Sequence, residues 1–99
     1  MNMQQMLMQA NKMQRELQKA LDEMHQKDFT VSKGGAVTVV VKGSKKVSSI
    51  SVDKDAFDPD NKEMVEEMIA LAINEAVDQI SAEEAAINQR ITGRSNGLF

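Results

Sequence analysis

Lys12, Arg15 and Lys19 recur at steps of three and four, which on an α-helix places the three cations within about 60° of one another. A ridge of that kind is chemistry for an anion, because ammonium and guanidinium groups donate charge-assisted hydrogen bonds to phosphate oxygens. An internal account stands beside it: Lys12 can reach Glu16 and Lys19 can reach Glu23 at i,i+4. Exposed pairs of that type are worth only some tenths of a kcal/mol, so phosphate can displace them. Lys42, Lys45 and Lys46 form a second basic cluster, for which protection of a strand edge is an equally good account.

Signals for catalysis are thin. One histidine, no cysteine, no tyrosine and no tryptophan remove the usual nucleophile and base pairings, leaving only Ser–Lys or carboxylate arrangements. Asp22-x-x-His25 has the helical spacing of a metal-binding pair, but only a second copy of the chain can supply another histidine, and a solvent-facing histidine near a helix end is the better account. Glu63, Glu66, Glu67, Glu75, Asp78, Glu83 and Glu84 mostly fall off the apolar stripe of their helix, as a solvated face does. Gly34-Gly35 lacks the Lys-Ser/Thr of a phosphate loop and reads as a turn. No enzyme, cofactor or small-molecule substrate is expected.

The elements that must position these residues follow from periodicity. Met3, Met6, Leu7, Ala10, Met13, Leu17, Ala20, Leu21 and Met24 keep the three-and-four spacing of an amphipathic helix from about Met3 to Asp28, some 39 Å long. Asn2 with Gln5 makes a capping box at its start. The basic ridge lies nearly opposite the apolar stripe. From Phe29 the period falls to two: Phe29 to Ser32, Ala36 to Lys42 and Val47 to Asp53 read as strands, with turns at Lys33-Gly34-Gly35 and Gly43 to Lys46. Connections this short favour an antiparallel meander.

The single proline marks the last boundary. Asp58-Pro59, or alternatively Asp60 with Glu63, starts a second helix whose stripe runs through Val65, Met68, Ile69, Ala72, Ile73, Ala76, Val77, Ile80, Ile87 and Ile91. Ser81 with Glu84 resembles an internal capping box, though an unbroken helix is expected over a kink. The fold class is therefore α+β: a long N-terminal helix, a three-stranded antiparallel meander and a long C-terminal helix, in one domain over residues 1–91. Residues 92–99, with two glycines and no period, read as a flexible tail.

Composition sets further bounds. The 99 residues carry a net charge of −3, but the first fifty hold eight Lys/Arg against four Asp/Glu while the remainder hold four against eleven. The difference is +4 for one half and −7 for the other, so charge must be judged by surface. Apolar runs are far shorter than the roughly 20 residues of a membrane span, and no secretory signal is visible, which makes the cytoplasm the expected location.

Two helices of this length cannot both bury their stripes on a three-stranded sheet, so apolar surface is left for a partner. The first helix also fits a heptad alternation, the pattern of a helix–helix seam. A homodimer is expected. A different use of the same surface is docking of the Met-rich helix into a partner protein's apolar groove, methionine being adaptable at such sites.

Taken in order, these motifs resemble the YbaB/EbfC family of small bacterial nucleoid-associated proteins over nearly the whole chain. The Met/Gln-rich opening from Met1 to Gln14 resembles the family's start, and Gly34 to Gly43 its glycine-led central strand. Val47 to Asp53 resembles the next strand, and Glu63 to Ala76 the helix whose Ala72, Asn74 and Ala76 match the family's alternating pattern. The closing Gly97-Leu98-Phe99 is similar to the family's tail. The chain departs in being sparingly basic.

The resemblance implies a homodimer whose sheets and second helices build the body while helices project like tweezers onto double-stranded DNA, with low sequence specificity. It places the protein at the nucleoid, with effects on gene regulation as the consequence. The dimer is expected to form through sheet and helices, at Val37, Val39, Val41, Met68, Ile69, Ala72, Ile73 and Ala76. The DNA contacts are assigned to phosphate binding by Lys12, Arg15 and Lys19, joined by Arg90 and Arg94 where the helix ends converge.

Overall fold

The capping box forms as expected. In the computed structural model, which describes residues 2–93, the Asn2 side chain accepts from the Gln5 amide at 2.8 Å while the Gln5 side chain accepts from the Asn2 amide. Helix α1 runs from there, Met3–His25. It stops three residues short of the sequence expectation, because the amides of Gln26 and Lys27 turn back onto Glu23 and Met24 and free Asp28 to pair with Lys42.

Strands β1 (Asp28–Lys33), β2 (Val37–Lys42) and β3 (Val47–Val52) form an antiparallel sheet in that order. Gly34 and Gly35 have φ of 58° and 65°, positive values that β-carbons resist, within a three-residue connection that the Ala36 amide closes on the Lys33 carbonyl at 3.0 Å. Phe29 and Val31 of β1 lie opposite Val41 and Val39 of β2, so alternation puts all of them on one face. That face is covered by α2, Lys62–Thr92, reached through two short 3-10 turns at Lys54–Ala56 and Pro59–Asn61. Asp58 accepts from the Asp60 amide at 2.9 Å and so opens the 3-10 turn, not the α-helix; the alternative start at Asp60 and Glu63 does not form.

Helix α2 is unbroken through Ser81. Its Ala72 and Ala76, both fully buried, bring the backbone close to Val37, Val39 and Val41, and Ile80 fills the space between. Burying a side chain the size of Ile80 contributes about 1.5–3 kcal/mol. Thr92 ends the helix and Gly93 caps it at φ 72°, so the helix extends one residue into the expected tail; residues 94–99, with Arg94, lie outside the described residues. The second half of α1 packs on α2 through Leu17, Leu21 and Met24. The residues of the first half are all exposed, and the molecule measures 69 × 23 × 15 Å.

Candidate nucleic-acid interface

Residues 2–16 are exposed on every side, so the first half of α1 is a free rod of about 21 Å from Met3 to Glu16. Lys12 and Arg15 stand exposed on it, and Lys19 stands exposed just beyond it, on the half of α1 that packs on α2. Neither i,i+4 pair open to them forms. The ion pairs among the described residues lie elsewhere: Lys27 with Glu83 at 2.7 Å, Lys33 with Glu75 at 2.6 Å, Lys42 with Asp28 at 3.0 Å and Lys62 with Glu66 at 3.1 Å. Among the described residues the three ridge cations have no acidic partner, although Glu16 and Glu23 are within one turn. Their charge is free for an external anion.

The other basic residues separate from this ridge. Arg90, exposed in the last turn of α2, shares a shallow depression with Ala20, Glu23, Lys27 and Glu83, so it faces the anchored half of α1 and not the free rod. Lys42 is held by Asp28 and by the Gln26 carbonyl at 3.4 Å, while Lys45 and Lys46 remain exposed in the β2–β3 turn. His25 and Asp22 gather no further ligand: no group of three His, Cys, Asp or Glu suited to a metal ion occurs among the described residues.

Gly43 fixes how the rod is mounted. Its amide donates to the Lys27 carbonyl at 2.8 Å and that of Ser44 to the His25 carbonyl at 3.2 Å, bolting the β2–β3 turn to the end of α1. A β-carbon at Gly43 would sit 1.9 Å from the Met24 carbonyl oxygen. Backbone therefore rests on backbone, and only glycine permits it. The sequence flagged this glycine as a turn residue but carries no sign of the contact.

The expected dimer residues divide. Val37, Val39, Val41, Ala72 and Ala76 are at most 1% exposed within one subunit and belong to the chain's own core. Alternation correctly gave these residues an apolar neighbour, and that neighbour is α2. Met68, Ile69 and Ile73 stay half-buried and keep surface to offer.

Helix α2 crosses the sheet over β2 and β1 and scarcely touches β3. As a result Val47 and Ile50, which lie opposite Val41 and Val39, are each 46% exposed. Phe57, 75% exposed, adjoins an apolar depression of about 400 Å³ between Val52, Pro59 and Val65. On α2, Ile69 and Ile73 point about 120° and 160° away from Glu75, which is tied to Lys33 on β1; they occupy the flank away from β1. The uncovered apolar surface is thus centred on β3.

Comparison with known proteins places this architecture. A model of the YbaB/EbfC DNA-binding family matches residues 1–95.

The chain belongs to the YbaB/EbfC DNA-binding family.

It is 39% identical to a nucleoid-associated protein of Clostridium novyi, over all of this chain and 90% of that one. It is 37% identical to a nucleoid-associated protein of Malacoplasma penetrans, over 90% of this chain and 95% of the other. The crystal structure of an uncharacterized Helicobacter pylori protein superposes with a TM-score of 0.76, covering 94% of this chain and 99% of that one at 18% identity, which shows the fold to be shared.

Proposed function

We propose that two copies of this chain pair and grip duplex DNA through phosphate contacts from Lys12, Arg15 and Lys19 on each α1, with Arg90 and Arg94 contributing near the helix ends, and that the protein acts at the nucleoid, with effects on gene regulation. The observation that carries this is the contrast in pairing. Lys27, Lys33, Lys42 and Lys62 are neutralised by neighbouring acids, whereas the exposed ridge has no acidic partner among the described residues. Phosphate contacts of this kind fix position without reading sequence, and they weaken steeply with salt. A mobility-shift titration of one duplex at two salt concentrations tests it. Affinity that ignores salt, or no binding at low salt, removes the mechanism.

Pairing rests on β3. Val47, Ile50, Phe57, Ile69 and Ile73 form the apolar surface that a second copy would cover, and sedimentation equilibrium at micromolar concentration reports whether it does. A lone, well-folded subunit under those conditions rejects the dimer.

A second reading is favoured by the exposure of Met3, Met6, Leu7 and Met13 on the rod, at 73, 55, 58 and 41%. In it the stripe docks in a partner protein's groove. Stoichiometric recovery of one protein after nuclease treatment would support that reading over the first.

A further inference from the structure

Phosphate contacts leave the residues nearer the tip of the rod without a task. At 100° per residue, Gln4, Met8 and Asn11 fall within about 60° of one another; Arg15 continues their direction one turn farther from the tip, and Lys12 and Lys19 are centred about 60° round from them. All three are exposed, Met8 at 64%. The amides of Gln4 and Asn11 make no side-chain hydrogen bond among the described residues, whereas Gln5 is used in the capping box and Gln18 donates to Asp22 at 2.8 Å. Met8, Asn11, Lys12 and Arg15 line one shallow depression on this face.

Geometry restricts what that face can meet. An α-helix about 10–12 Å across fits the major groove, some 12 Å wide, and cannot enter the minor groove of about 6 Å. The helix must offer the groove an uncovered face, and residues 2–16 are exposed. With Lys12 and Lys19 against the phosphates of one groove wall, the neighbouring stripe turns to the groove floor. The stripe runs over eight residues, about 10 Å along the axis, or roughly three base-pair steps. Its chemistry suits an A·T pair, since Gln and Asn match the donor and acceptor of adenine and an apolar side chain matches the thymine methyl.

We propose that Gln4, Met8 and Asn11 form a base-reading stripe that gives this protein a preference for A·T pairs in the major groove. The proposal rests on the phosphate grip described above, and it departs from sequence-indifferent binding. The preference is about tenfold, what one good bidentate contact supplies.

The test measures binding of the full chain to two fluorescent 20-bp duplexes, one with only A·T pairs and one with only G·C pairs, each at two salt concentrations. The variants are Gln4→Ala, Met8→Ala and Asn11→Ala, singly and all three together, at exposed helical positions where alanine favours the helix. The expected result is tighter binding of the A·T duplex by the unaltered protein, and loss of that difference in the triple variant with the salt dependence unchanged. Equal affinity for both duplexes in the unaltered protein overturns the stripe and leaves the phosphate grip standing. A preference that survives in the triple variant also overturns it, because duplex shape is then the source. Failure to bind either duplex at low salt removes the grip and the stripe together.

Discussion

Replacing Lys12, Arg15 and Lys19 together by glutamine should flatten the salt dependence of DNA binding without touching the fold. Each position is exposed and unpaired, and glutamine matches lysine and arginine in helix propensity, so stability should stay within about 0.5 kcal/mol. In a dimer the substitution removes six cations. At about 0.9 in log–log slope per neutralised phosphate, the slope falls by about 5 if every cation makes its contact. Between 50 and 200 mM salt, a fourfold change, that part of the slope corresponds to about a thousandfold in affinity. Anisotropy titrations of one duplex across that range give both slopes, and a thermal melt followed by circular dichroism confirms the fold. A triple variant that keeps the original slope refutes the reasoning, for the phosphates must then be held by other residues.

Other expectations follow from single contacts. Gly43→Ala places a β-carbon 1.9 Å from the Met24 oxygen, so the junction must open by about 1 Å; a loss of about 1–3 kcal/mol should appear in the thermal melt. Ile50→Asp sets a carboxylate in the uncovered β3 surface and should shift sedimentation equilibrium toward single subunits while leaving the far-ultraviolet spectrum unchanged. Lys27→Ala removes a half-exposed ion pair to Glu83 and a cation–π contact 5.3 Å from the Phe29 ring, and should cost no more than about 1 kcal/mol in chemical denaturation. Asn2→Ala deletes the capping box, and hydrogen exchange should accelerate in the first turns of α1 alone, reflecting about 1 kcal/mol of lost helix stability.

Much of the fold is legible in local patterning. The Asn2–Gln5 box, the Gly34-Gly35 hairpin and the two-residue period of Val37, Val39 and Val41 each act within a few residues, and each stands where the sequence places it. The start of α2 is displaced because Asp58 finds the Asp60 amide first, a competition between neighbouring caps that composition does not decide. What covers an apolar face is less legible. Alternation marks Val39 and Ile50 as the same kind of residue, yet one is fully buried and the other 46% exposed, because the crossing path of α2 reaches β2 and misses β3. Pairing of the ridge is equally hidden. Lys12 and Lys27 both have acids nearby, and only the fold brings Glu83, 56 positions on, to Lys27 while leaving Lys12 open.

The Gly43 junction lies about 32 Å from the tip of α1, measured along the helix from Met24 to Met3. A tilt introduced there is multiplied by that lever arm, so a small change in the 43–46 turn swings the far end of α1 through a distance that no single substitution on the helix itself could produce.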